Sequence, residues 1–505
     1  MNTLGKFIKN CLFLSTLLLQ SKIGLSLPVA TAATPPTPNI VFILTDDQDR
    51  DSLNYMPRLN ELLINKGMVF NQHILNVSLC CPSRTTLLTG MYASNHHVYA
   101  NDGETGGILG FNNAGLNDKT IGIWLQTAGY RTALMGKLVN GYYEALPAAR
   151  RNEFLPGYDV WLGAAGNIHN EYNISVNENG VRRTYSSEDR HYGGDLLTGR
   201  AETFIKESAQ MQKPFFLYLA NSAPHNPAIP ARRHLGPVVN SVQKYRFRNV
   251  RSLRTPAFFE ADRRDKPTFF GSVKPETIPQ IDELARKRIA TLQATDEGIG
   301  RLYKAVKDSG QLANTYFFFM SDNGYHLGQH NKSNTKNTAY DESIRVPFII
   351  MGPGVEAGKT LDYLTTNADF TATVVALSGA TLPLHIQLDG RSLVPLFSAA
   401  TRPGGANWRK LVPTAHYVGG GEGGGFPEFF GVRTQRWSFV EYTNLKNEKE
   451  LYNLAVDPYE LQNYIGPQQK QEPPPGLLAK LIDRNLRMKS CQGDTCRAIE
   501  DEPIE

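Results

Sequence analysis

The sequence predicts an α/β protein: a large, mostly parallel sheet covered by helices, with a smaller C-terminal α+β subdomain. Three observations carry this. Short apolar, β-branched or aromatic runs recur along the first 350 residues. Segments with helical spacing of apolar residues separate them. After about residue 385 the texture changes to glycine-rich loops and alternating strands.

Residues 39–44 (NIVFIL) read as a strand buried on both faces, ending in Thr45-Asp46-Asp47. Residues 118–128 read as a helix and 131–135 as the next strand. Residues 214–220 (PFFLYLA) form another buried strand, which runs into Asn221-Ser222-Ala223-Pro224-His225. Across 276–309, Leu284, Ile289, Leu292, Ile299 and Leu302 recur at helical spacing. Residues 315–320 (TYFFFM) are a strand ending in Ser321-Asp322-Asn323-Gly324, and 346–351 (VPFIIM) are one more. In parallel sheets ligands bind at the carboxyl ends of strands. Three strand ends here carry acid, amide or imidazole groups, which predicts one shared site.

In the C-terminal part, 437–442 alternates like a strand. Residues 477–488 read as a helix following Pro473-Pro474-Pro475-Gly476. The run GGGEGGG at 419–425 has no strand before it and no helix after it, so it is a loop and not a phosphate cradle. No internal repeat is present. The expected division is a signal peptide at 1–32, a catalytic domain at 38–385 and a C-terminal subdomain at 386–505.

The signal peptide is read from Lys6 and Lys9, the apolar core at 11–19 (CLFLSTLLL) and the small-residue site Ala30-Thr31-Ala32. No later run reaches the roughly 18 to 20 apolar residues of a membrane span. An exported chain without stable membrane insertion is expected. The net charge of +5 over 505 residues, without a basic run, argues against nucleic acid and suits a small anionic substrate. Of the five cysteines, Cys11 leaves with the signal. Cys491 and Cys496 are close enough for a small disulfide loop in an oxidising compartment. Cys80 and Cys81 are adjacent, and neighbours rarely bridge each other, so this pair needs another explanation.

Residues 80–90 read Cys80-Cys81-Pro82-Ser83-Arg84-Thr85-Thr86-Leu87-Leu88-Thr89-Gly90. This resembles the signature of the formylglycine-dependent (type I) sulfatases, Cys-x-Pro-Ser-Arg followed by a short helix and Thr-Gly. The resemblance extends through 39–49, 89–98, 222–234, 321–330, 341–354 and 450–463. It is nearest to the branch holding N-acetylglucosamine-6-sulfatases, extracellular heparan endosulfatases and related arylsulfatases. It implies an alkaline-phosphatase-like sandwich that hydrolyses O-sulfate esters, of an aryl alcohol or a 6-O-sulfated amino sugar. A formylglycine-generating enzyme would act on Cys80, converting it to 3-oxoalanine. The hydrated aldehyde is a geminal diol: one hydroxyl attacks sulfur and the other helps expel sulfate, an exit that a thiol lacks. A helix N-terminus behind it favours an anion.

The resemblance also assigns residues. Asp46, Asp47, Asp322 and Asn323, with the modified Cys80, match the family's metal ligands. Oxygen donors suit a hard cation, Ca²⁺ first, with Mg²⁺ or Mn²⁺ as alternatives. Arg84 holds the diol or neutralises charge, Lys137 touches sulfate, and His225 lies near the leaving oxygen. Lys336 matches a second lysine by its spacing to Asp341, with Lys332 as the alternative. One position departs from many sulfatases: Asn140 stands where they carry a histidine base. Asn is no base at neutral pH, so Asn140 is expected to orient sulfate or the diol. His97, His326 and His330 are then candidates for the base, and His326 and His330 also for substrate contacts.

Sequons occur at Asn76, Asn173 and Asn331, with Asn173 the expected glycan site because the others lie near catalytic loops. The competing functions are a phosphodiester or phosphonate monoester hydrolase and an inactive carbohydrate-binding homologue. The absence of a long basic insertion favours a small or terminal sulfated substrate. Its pocket would be built by loops 142–193, 235–275 and 416–430.

Overall fold

Alternation along the strand β1 (Asn39–Thr45) shows how the molecule is layered. Ile40, Phe42 and Leu44 point into one hydrophobic core, Val41 and Ile43 into another. All five are buried, as a strand covered on both faces requires. The computed structural model describes residues 37–505 except 240–241, 246, 248, 270–276, 419–425, 447, 470 and 505. The expected signal peptide and the glycine loop at 419–425 lie outside the described residues.

Nine more strands join β1: β2 (Met68–Ile74), β3 (Arg131–Gly136), β4 (Val160–Ala164), β5 (Ser175–Glu178), β6 (Val181–Thr184), β7 (Phe215–Ala220), β8 (Thr315–Ser321), β9 (Phe348–Met351) and β10 (Lys359–Thr366). Their order across the sheet is β10-β2-β9-β8-β1-β7-β3-β4-β5-β6. Only β5 and β9 run against the rest. The mostly parallel sheet expected from the sequence is therefore present, with two reversed strands inside it.

Helices α1 (Cys80–Thr89), α2 (Ile121–Thr127), α3 (Gly193–Gln210), α4 (Ile278–Asp308) and α5 (Ala368–Ser378) cover the sheet. Leu87, Trp124 and Phe370 from α1, α2 and α5 pack into the first core. Leu197 and Phe204 of α3, with Ile289 and Leu302 of α4, pack into the second. The C-terminal part adds an antiparallel sheet of β11 (Leu411–His416), β12 (Phe429–Thr434), β13 (Trp437–Tyr442) and β14 (Lys449–Asn453), in that order. Helices α6 (Leu477–Met488) and α7 (Asp494–Asp501) close its core, and the Cys491–Cys496 disulfide joins the turn between them. Among the described residues, no helix is long and apolar enough to cross a membrane.

The register positions the site. β1 pairs in parallel with β8, Thr45 beside Ser321, so Asp46 and Asp322 emerge side by side. β1 also pairs with β7, and β7 with β3, Ala220 beside Gly136. Lys137 and the turn at 221–225 therefore leave the same sheet edge as the aspartates. Backbone bonds continue past the strand ends and hold these turns together: Asp46 N–H to Ala223 O, 3.0 Å; Lys137 N–H to Ala220 O, 3.0 Å; Asp322 N–H to Thr45 O, 3.1 Å.

Candidate active site

The first two residues of α1 face different surroundings. Successive helical residues are about 100° apart, and this separates the two free thiols. Cys80 Sγ lies 3.7 Å from Asp46 Oδ1 and accepts from Lys336 Nζ at 2.9 Å. Cys81 Sγ instead accepts the Asn140 N–H at 3.0 Å and faces Asn101 O. Burial pushes the Cys80 thiol up to about 12 and the Cys81 thiol up to about 11, against the pull of nearby lysines or hydrogen bonds. Neither is a thiolate nucleophile at neutral pH.

Around Cys80 lie three buried carboxylates and three cations. Lys137 Nζ pairs with Asp46 Oδ2 at 2.6 Å, and Lys336 Nζ pairs with Asp47 Oδ1. Arg84 Nε pairs with Asp322 Oδ2 at 2.7 Å and its NH2 approaches Asp46 at 3.4 Å. Arg84 also donates to the Lys137 carbonyl at 2.6 Å, fixing that strand end to α1. Burial alone would raise the Asp47 carboxyl, but Lys336 and His225 outweigh it and hold it down at about 2. Asp46 is likewise held well below the carboxylate range, burial being outweighed by Lys137, His225 and Arg84. Asp322 is raised by burial and by Asp46. Asp47 takes a left-handed backbone, φ 66°, which turns adjacent carboxylates into one cluster.

Donor atoms of Asp46, Asp47, Cys80 and His225 lie within 4.8 Å of one another. Asn323 donates to Asp47 Oδ1 at 2.6 Å, while its own Oδ1 is buried without a hydrogen-bond partner among the described residues. A buried amide oxygen with no donor beside three carboxylates fits a hard cation. Asp46, Asp47, Asp322 and Asn323 are the residues that would hold it.

His225 Nδ1 donates to Asn226 O at 2.6 Å, so Nε2 faces Asp47 Oδ2, 3.6 Å away. A second imidazole, missed in the sequence, stacks on it: His169, with ring centroids 4.0 Å apart. His169 Nε2 is 3.6 Å from Asp46 Oδ2. Burial and Lys137 push its pKa down to about 4. Its turn is pinned to the 221–225 turn through Glu171, which accepts from Ser222 Oγ at 2.5 Å. His169 follows β4, and that strand end was the signal that could have found it. Asn140, Lys137 and His169 line a cavity of about 220 Å³ beside the cluster. The Asn140 side-chain oxygen is buried there with no hydrogen-bond partner among the described residues.

Other sequence candidates lie elsewhere. His326 is fully buried, its ring nitrogens engaged by Thr338 Oγ1 at 2.8 Å and Gln329 O at 3.2 Å, so no edge is left for substrate. His330 is bonded to Glu260, and His97 is bonded to Tyr99. Among the described residues, neither has a hydrogen bond or ion pair to the Cys80 cluster. Lys332 points over the Phe269 ring, 5.1 Å away, whereas Lys336 reaches Cys80. Among the sequons, Asn76 and Asn331 are buried with their amides bonded to Pro413 O and Glu260 O. Asn173 is exposed.

The sulfatase family model matches residues 38–380, and the model for the N-sulphoglucosamine sulphohydrolase C-terminal region matches 328–487. The chain is 36% identical over 367 residues to a putative extracellular sulfatase Sulf-1 homolog of Caenorhabditis elegans, covering 71% of this chain and 49% of that protein. The chain thus spans about half the length of that relative. It is 30% identical over 503 residues to the N-acetylglucosamine-6-sulfatase of Homo sapiens, covering 92% and 87%. The solved structure of BT4656 with its substrate D-glucosamine-2-N,6-O-disulfate superposes with a TM-score of 0.70 at 24% identity, covering 92% of this chain and 99% of that one. A phosphonate monoester hydrolase from Silicibacter pomeroyi superposes at 0.65 with 21% identity, covering 89% and 94%. These neighbours share the alkaline-phosphatase-like sandwich. From its matched model and its relatives, the chain belongs to the sulfatase family.

Proposed function

We propose that this chain is an exported sulfuric ester hydrolase acting on O-sulfated amino sugars, with residue 80 matured to formylglycine and a divalent cation bound by Asp46, Asp47, Asp322 and Asn323. The observation that carries the reading is the isolation of Cys80 at the N-terminus of α1. It sits among Asp46, Lys336 and Lys137, while its neighbour is tied to the Asn140 backbone. Oxidised and hydrated, residue 80 would supply a diol hydroxyl for attack on sulfur and a second hydroxyl for its expulsion. A hard cation there supplies charge screening and lowers the pKa of a bound hydroxyl.

The chain's own residues have separate tasks. Buried Lys137 and part-buried Lys336 are cations of the Cys80 cluster, suited to bind the anionic oxygens of a sulfate. Arg84 keeps Asp322 and Asp46 in place and ties α1 to the Lys137 turn. His225, with Nε2 turned to the cluster, is suited to hand a proton to the departing alkoxide. Asn140 lines the neighbouring cavity and orients the ester.

The sugar assignment is supported by the N-acetylglucosamine-6-sulfatase relative that spans nearly the whole chain. Calcium is supported by the all-oxygen donor set. Turnover of glucosamine-6-sulfate, aryl sulfate and an aryl phosphonate monoester should be compared in protein co-expressed with a formylglycine-generating enzyme. Sulfate ester turnover that is lost with a chelator and restored by Ca²⁺ is expected. Background sulfate turnover beside robust phosphonate turnover would overturn the reading.

A further inference from the structure

His330 is the centre of a second buried cluster, in which none of the Cys80-site residues takes part. Its Nδ1 donates to Glu260 Oε2 at 3.0 Å. That bond turns Nε2 toward Glu342, whose Oε2 is 3.5 Å away, and toward Glu460. One donor atom from each of His330, Glu342 and Glu460 lies within a 4.8 Å group. Among the described residues, His330 Nε2, Glu342 Oε2 and Glu460 Oε1 are buried with no hydrogen-bond partner. His330 has no exposed surface and Glu460 retains 1%.

The surroundings hold these groups in place. The other Glu460 oxygen accepts the Asp341 N–H at 2.9 Å, and Glu460 has a left-handed backbone at φ 52°. Tyr340 stacks on the imidazole at 4.0 Å. Lys266 lies 3.6 Å from Glu260 and donates to the Tyr452 hydroxyl and the Glu460 carbonyl. Glu342 borders a cavity of about 320 Å³.

We propose that His330, Glu342 and Glu460 form a second cation site that takes Zn²⁺ or a similar first-row divalent ion. A carboxylate bonded to the far nitrogen of a ligating histidine is the usual outer shell of such sites, and Glu260 occupies that place. Imidazole with two carboxylates selects zinc-like ions over calcium, unlike the all-oxygen group at Asp46. The site would clamp the loop after β8 to the segment after β14.

The test uses the full chain, stripped with chelator, saturated with Ca²⁺ and dialysed against limiting Zn²⁺, with bound zinc measured by plasma mass spectrometry. About one zinc per chain is expected, as one three-ligand site takes one ion. Glu460→Gln and Glu342→Gln should lose it, and Asp47→Asn should keep it. Circular dichroism checks folding. The partly exposed Glu342 keeps the test open if the Glu460 variant fails to fold. A wild-type chain without zinc, zinc retained in the folded glutamine variants, or loss confined to Asp47→Asn would each overturn the proposal.

Discussion

Two neighbouring thiols illustrate how the site is decided residue by residue. Cys80 faces Lys336 and Asp46, and Cys81 accepts a backbone N–H. Cys80→Ala should reduce sulfate ester turnover to background. Cys81→Ala should keep turnover while losing about 1–3 kcal/mol of stability, a buried group's worth of packing. Urea denaturation with parallel kinetics checks both, and equal loss of turnover would contradict the division. The lysines divide in the same way. Lys336→Met should lower kcat/KM by about 10²–10³-fold, the cost of one preorganised charge. Lys332→Met, whose amine sits over Phe269, should change it little.

At the scale of elements, Asp46, Lys137, His225 and Asp322 depend on how a strand ends. Gly136 closes β3 at φ 106°, and a Cβ there would lie 1.9 Å from Ala220 O. Gly136→Ala should cost about 1–3 kcal/mol in stability, as a strained backbone does. It should also lower kcat, because Lys137 is the next residue. A variant with normal stability and rate would remove the strand end from the account. Five strands of the sheet were legible from sequence: β1, β7, β8 and β9 hold unbroken apolar runs, and β3 holds the shorter run Ala133-Leu134-Met135. β2 was not, because Asn71, Gln72 and His73 interrupt it. The β5–β6 hairpin carried a signal that went unread: Asn179-Gly180, both with positive φ. Missing β4 hid His169, since no local motif marks the turn at 167–171. His326 and His330 share a stretch with Asp322, but only three-dimensional packing shows that their rings turn into the interior.

At the scale of the whole molecule, buried carboxyls set how stability responds to pH. Burial pushes Glu171 up to about 7. The folded state therefore binds a proton that the unfolded chain has already released. That contribution is complete below the ordinary glutamate range and is lost as pH rises toward about 7. The full loss is about 3 kcal/mol, the free energy of raising a carboxyl from the ordinary glutamate range to about 7. Glu171→Gln should flatten the decline in urea stability between about pH 5 and pH 7. An unchanged slope would assign the pH dependence to other groups. The same register that gathers strand ends at one edge also explains why the site was legible at all. Parallel strands deliver their carboxyl ends together, so Asp46, Lys137, His225 and Asp322 needed only the correct strand order to meet.

The central claim is that residue 80 is the nucleophile and acts as formylglycine. Peptide mass spectrometry across residues 80–84, on protein co-expressed with a formylglycine-generating enzyme, tests it most directly. The account predicts an aldehyde in place of the thiol at residue 80, an unmodified thiol at residue 81, and turnover proportional to the aldehyde fraction. An intact thiol at residue 80 in a fully active preparation would contradict it.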